Sequence, residues 1–202
     1  MKIDRDTYKI DIKNRYKSTP EKTQIVIAFS LRKEDYHVTH LKHKEYGNTK
    51  KWNTFTIGRD GTIYEHYHPK HYTDFLGLKD ADKRSISIVI ENMGSLLKTP
   101  ENKYVNWLHE ICPIEKVVEK KWLGHQYWED IYPEQIESTL NLCKKLCIDF
   151  DINLKMIEFH YQHDQIMNYN GIVLKSNYFE DSSSVNPCFN LTKFNDLLQL
   201  NE

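Results

Sequence analysis

Three groups of histidines in this sequence carry spacings that could hold a metal ion or move a proton. The stretch "EHYHPKHY" brings His66, His68 and His71 together. Read as the end of a strand, it puts His66 and His68 on one face, because side chains alternate along a strand, and that spacing suits a pair of metal ligands. The same stretch also reads as a polar strand end with solvated imidazoles. His37, His40 and His43 recur every third residue, where neighbours on a helix can meet, but Lys42 and Lys44 beside them point to a wet surface. "HYQHD" supplies His160, His163 and Asp164, as ligands or as caps of a turn. Glu91 and Asn92 close an apolar run and place an acid at its end, where it could also satisfy nearby backbone. Cys143 and Cys147 lie four apart on one helical face and read as small buried apolar residues. There is no Cys-x-x-Cys pair, no Gly-x-Ser-x-Gly elbow and no glycine-rich phosphate loop.

The elements that must position these groups follow from apolar period and turn chemistry. "TQIVIAFSL", Thr23 to Leu31, is an apolar β-branched run and predicts a buried strand. The stretch 32–47 predicts a helix ending at Gly47. "WNTFTIGRDGTIYEH" predicts a hairpin turning at Arg59-Asp60-Gly61, since Asp-Gly tolerates the positive φ of a tight turn. "RSISIVIENMG" predicts a strand with Ile86, Ile88 and Ile90 on one face and Ser85, Ser87 and Val89 on the other. Residues 97–133 predict an irregular aromatic insertion with one short helix near Val105–Cys112. A helix follows from Pro133, with Ile136, Leu140, Cys143 and Cys147 as its stripe. "KMIEFH" predicts a strand ending at His160, "NGIVLKS" another, and "LTKFNDLLQL" a closing helix. Residues 1–22 read as a polar arm and 23–202 as one domain. Strands and helices mixed without a strict alternation predict an α/β fold, a central mixed sheet flanked by helices.

Composition narrows the function classes. Lys and Arg number 28 against 29 Asp and Glu, so no basic field would draw nucleic acid. No apolar run approaches the roughly 20 residues that span a bilayer, which argues against a membrane partner. The charged opening "MKIDRDTYKIDIKNRYK" lacks the apolar core of a signal peptide, so synthesis in the cytoplasm is expected. Four cysteines in 202 residues suit a reducing compartment rather than a disulfide scaffold.

The order of strand, helix, "RDGT" hairpin, "SISIVIEN" strand, helix and strand ending in His resembles the zinc-dependent N-acetylmuramoyl-L-alanine amidases. That family includes phage lysozyme-type enzymes and the peptidoglycan recognition proteins. The resemblance covers Thr23 to Leu96 and Pro133 to Phe189. It implies a groove for peptidoglycan or a muropeptide, and a zinc ion with three protein ligands and an open position for water. Transferred residue by residue, the first ligand position falls on Ala28, or on Phe29 one register away. The second falls on His160, or on Lys175 if "IVLKSN" takes that place. The third falls on Asn186, with Ser184 and Cys188 beside it, and the family's lysine two residues earlier is here Ser184. Ala28 carries no donor and an Asn amide is a poor zinc ligand, so the zinc site reads as incomplete. Either the family's metal chemistry is lost, or other residues rebuild it. The resemblance also marks Trp52, Asn53, Phe55 and Asn186 as groove candidates. Three functions stay open: an amidase with a divergent site, a non-catalytic peptidoglycan-binding module, and a phage structural or interaction module that meets a protein partner through 97–133. A phage-encoded chain would leave its host by lysis or within the virion.

Overall fold

The computed structural model describes residues 2–32, 50–180 and 184–200. The helix expected over 32–47 and the cluster His37, His40 and His43 lie outside these residues, apart from Arg32. The main sheet has the order β1-β4-β3-β5-β2-β11. Its strands are Ile3–Asp4 (β1), Gln24–Phe29 (β2), Phe55–Ile57 (β3), Ile63–Glu65 (β4), Ser85–Ile90 (β5) and Gly171–Leu174 (β11). All pairings are parallel except the β3–β4 hairpin, so the sheet is mixed.

Alternation sorts β5 as expected, and both of its faces are buried. Ile86, Ile88 and Ile90 join Ile25, Ile27, Ile172 and Leu174 in the larger core. This face is covered by α2 (Pro133–Phe150) and α3 (Leu191–Gln199) through Leu142, Cys143, Leu146, Phe194 and Leu198. Each such aliphatic chain contributes about 1.5–3 kcal/mol when fully buried, so this layer dominates the fold's stability. The opposite face packs Val26 and Val173 against Ala81 of the short α1 (Lys79–Arg84) and against Ile157, Ile166 and Tyr178. Helix α2 starts where Pro133 can donate no N–H and Gln135 reaches back to accept from Tyr132 N at 3.3 Å. It ends at Asp151, whose φ of 54° is a left-handed cap.

The N-terminal segment lies along the sheet: β1 pairs with β4, Ile10 N donates to His66 O at 3.0 Å, and Tyr16 stacks on Tyr72.

Residues 97–133 are not irregular, which corrects the expectation. They form most of a second, antiparallel sheet of order β8-β7-β6-β10-β9. Its strands are Ser95–Lys98 (β6), Tyr104–Val105 (β7), Ile111–Cys112 (β8), Val117–Trp122 (β9) and His125–Glu129 (β10). The helix expected near Val105–Cys112 is instead the β7–β8 hairpin. Asn106 Oδ1 accepts from Leu108 N and Glu110 N at 3.0 Å, and His109 takes a φ of 60°, which together hold a turn and break any helix. "KMIEFH" is also not a strand of the sheet. It contributes one parallel bridge, Met156 to Ile172, and β11 is the strand that pairs with β2.

Candidate functional site

The parallel strands β2 and β5 end side by side, with Ala28 opposite Val89 and Phe29 opposite Ile90. Chain ends of parallel strands are where α/β sheets commonly seat ligands, because the connecting loops converge there. At this end the chain has built a buried polar network. Asn186 is fully buried; its Nδ2 donates to Asn92 Oδ1 at 2.7 Å and to Glu129 O at 2.8 Å, while its Oδ1 accepts from Cys188 N at 2.8 Å. Asn92 Nδ2 donates to Asp130 O at 3.1 Å, and its Oδ1 also accepts from Gly94 N at 2.8 Å. Ser184 Oγ bridges the end of β2, accepting from Phe29 N and donating to Phe29 O, both at 2.9 Å. Glu91, which follows β5, is buried, and its carbonyl accepts from Gln135 Nε2 at 2.7 Å.

Glu129, at the end of β10, is fully buried beneath this network. Arg59 of the hairpin turn holds it from two nitrogens: Nη2 lies 2.9 Å from Oε1 and 3.0 Å from Oε2, and Nε lies 3.1 Å from Oε1. Met93 N also donates to Oε2. Burial pushes the Glu129 carboxyl above its usual range, and the Arg59 charge opposes that push. Neither Arg59 nor Glu129 was a site candidate from sequence. The two are 70 positions apart, and no local pattern couples them.

His160 is half-buried beside this end. Its ring lies 5.0 Å from that of Trp122, edge to face. Burial, and then the nearby Lys120 charge, lower its pKa to about 4, so the imidazole is neutral at neutral pH. Its Nδ1 is buried with no hydrogen-bond partner among the described residues. Lys120 Nζ donates to Pro187 O at 2.8 Å, which ties the second sheet to the segment after Asn186. Lys175, the rival position, follows β11, in which Leu174 pairs with Ile27. Its ammonium lies 4.8 Å from the Phe75 ring centre, and burial lowers its pKa.

The residues at the three expected ligand positions do not fit zinc. Ala28 has no donor atom. The Asn186 amide is engaged through both its oxygen and its nitrogen. Only His160 offers a free nitrogen, and one imidazole does not make a zinc site. Among the described residues, no group of three or more His, Cys, Asp or Glu side chains could hold a metal ion. The other histidines are used elsewhere. His66 is fully buried, with Nε2 2.8 Å from Thr56 Oγ1 and Nδ1 2.9 Å from Tyr8 O. His68 is exposed, with its ring 6.5 Å from that of His71. His163 Nδ1 accepts from Gln165 N at 3.1 Å and so holds a turn.

The groove candidates fall in two places. Asn186 belongs to the network just described. Trp52, Asn53 and Phe55 lie where β3 begins, at the other end of the sheet, and all three are buried. Trp52 packs with Tyr67, Tyr8 and Ile10, Phe55 lies in the main core, and Asn53 Nδ2 donates to Phe55 O and Thr56 Oγ1. In this structure all three pack as supports of the sheet.

The sequence profile of the N-acetylmuramoyl-L-alanine amidase family matches residues 15–172. No curated protein matches the chain in sequence. Among solved structures, N-acetylmuramoyl-L-alanine amidase LysC from Clostridium intestinale superposes with a TM-score of 0.57 at 13% identity, covering 100% of this chain and 99% of that one. A mutant endolysin from Bacillus subtilis gives 0.55 at 14% identity, covering 98% and 97%. The ectodomain of the Drosophila receptor PGRP-LCa gives 0.50 at 12% identity, covering 89% of each chain. The structural likenesses carry the fold, and the profile match spans more than three quarters of the sequence. The chain is therefore an amidase-like protein that belongs to the N-acetylmuramoyl-L-alanine amidase family.

Proposed function

We propose that this chain engages the muramoyl-peptide portion of peptidoglycan at the carboxyl ends of β2, β5 and β11, next to Asn186 and His160. The family match over residues 15–172 carries the reading. The buried network from Arg59 to Asn186 supports it, because it fixes the loops of that end in one arrangement. Engagement and cleavage are separate parts of the proposal. Cleaving the amide between N-acetylmuramic acid and L-alanine needs a polarised carbonyl and an activated water. Ala28 and Asn186 do not supply the usual zinc for that, so no step is assigned to a metal here. Delivery to the wall by host lysis or within a virion is the route we propose for a phage-encoded chain. Among the described residues no helix is long and apolar enough to cross a membrane.

Co-sedimentation with purified sacculi tests engagement. Retention in the pellet is expected, and a protein left wholly in the supernatant overturns the proposal. Release of new L-alanine amino termini, measured beside the zinc content of untagged wild type and His160→Ala, tests cleavage. About one zinc per chain, lost in the variant, would reveal a rebuilt site. Cleavage by zinc-free protein would place the chemistry on other residues.

A further inference from the structure

A second feature lies at the opposite end of the sheet, where β3 begins and β4 finishes. There the N-terminal segment and the residues at the end of β4 line a half-open cavity of about 420 Å³. Its wall carries Arg5, Lys9 and Arg15, with Glu65 as the one carboxylate and Ile10 and Ile12 as an apolar side. Arg5 is paired with Glu65 at 3.0 Å. Lys9 and Arg15 have no ion-pair partner among the described residues, and Arg15 Nη1 is buried with no hydrogen-bond partner there. Two cations on one wall without an ion-pair partner among the described residues leave charge that an anion in the cavity would balance. The positive field extends to His71, whose pKa is lowered first by burial and then by Arg15.

We infer that this cavity is a binding site for a phosphate-bearing small molecule, with the phosphate between Lys9 and Arg15 and the organic part against Ile10 and Ile12. Three cations and one carboxylate leave a wall that suits a doubly charged phosphate ester better than a single carboxylate. The volume falls within the usual range for small-ligand sites, about 300–1,000 Å³, and exceeds what a bare anion would fill. The site uses no residue of the amidase-like end and stands whether or not the chain engages peptidoglycan.

Isothermal titration of the full chain at low salt tests the inference, with glycerol 3-phosphate and inorganic phosphate as separate probes. Saturable binding of one molecule of glycerol 3-phosphate is expected. It should weaken about tenfold or more in Lys9→Gln and in Arg15→Gln, since each substitution removes a charge-assisted contact. Added salt should weaken it further. Tighter binding of the ester than of inorganic phosphate is expected, and equal binding of the two would overturn the assignment to a phosphate ester. Lys9 is exposed, so its variant keeps the fold, and a melting curve checks Arg15→Gln. No saturable binding of either probe at millimolar concentration, or binding unchanged in Lys9→Gln, overturns the inference.

Discussion

Asn186 stands at the third ligand position that the family resemblance implies, and its surroundings show what the amide does there. Its Nδ2 faces two acceptors, Asn92 Oδ1 and Glu129 O, so this position needs a donor. Asn186→Ala leaves buried groups unsatisfied and is expected to cost about 2–3 kcal/mol by urea denaturation. Asn186→Asp is expected to cost more, because it sets a buried carboxylate against two oxygens. A neutral Asn186→Asp would show that the network tolerates the acid. Asp82 of α1 gives a residue-scale prediction of opposite character. It is buried, its Oδ1 accepts from Leu76 N at 2.7 Å, and its Oδ2 has no partner among the described residues. Burial raises its pKa from 3.8 to about 6. The folded state therefore holds the proton more tightly than the unfolded chain. That contribution is fully present below pH 4 and is lost as pH rises through 6. Asp82→Asn keeps the acceptor for Leu76 and removes the ionisation. It should flatten the stability profile between pH 4 and 7 and raise stability at pH 7 by on the order of 1 kcal/mol. An unchanged profile would refute the assignment to Asp82.

At the scale of elements, the hairpin turn owes its form to what it touches. Gly61 has a φ of 78°, and its carbonyl accepts from Ser138 Oγ at 2.6 Å. A Cβ there would stand 2.8 Å from Glu134 O, against the backbone of α2. Left-handed strain and collision add, so Gly61→Ala should destabilise by about 2 kcal/mol or more, read as a lower urea midpoint. A midpoint within error of wild type would mean that the turn is not seated on α2. The turn was legible in the sequence because Asp-Gly between apolar alternations has a local cause. So were β2, β5, β11 and α2, whose apolar period is carried within one element. The second sheet was not, because β7 and β8 have two residues each and are defined by partners rather than by pattern. "KMIEFH" failed for the reverse reason: it has a strand's apolar content but makes a single bridge.

For the molecule as a whole, distance along the chain decides what could be read. Ala28 and Asn186 were singled out in the sequence through the family resemblance alone. The link from Asn186 to Asn92 spans 94 positions and that from Glu129 to Arg59 spans 70, and both required the fold. The N-terminal segment shows the same limit. Its charges suggest an appendage, yet it supplies an edge strand and part of two packed clusters. Ile3 packs against the main core, Tyr8 and Ile10 pack on Trp52 and Tyr67, and Tyr8 O meets His66 Nδ1 at 2.9 Å. Deleting residues 2–10 removes these contacts and leaves β4 as the exposed edge. Three partly buried apolar side chains and the β1 pairing together imply a loss on the order of 3–5 kcal/mol. The truncated chain should therefore unfold at lower urea, and tryptophan emission should shift to the red as Trp52 loses its cover. The bare β4 edge is three residues long, so self-association should stay weak in sedimentation. A truncated chain with the wild-type midpoint and emission would show that the segment is an appendage after all, and that Trp52 is held by Tyr67 alone.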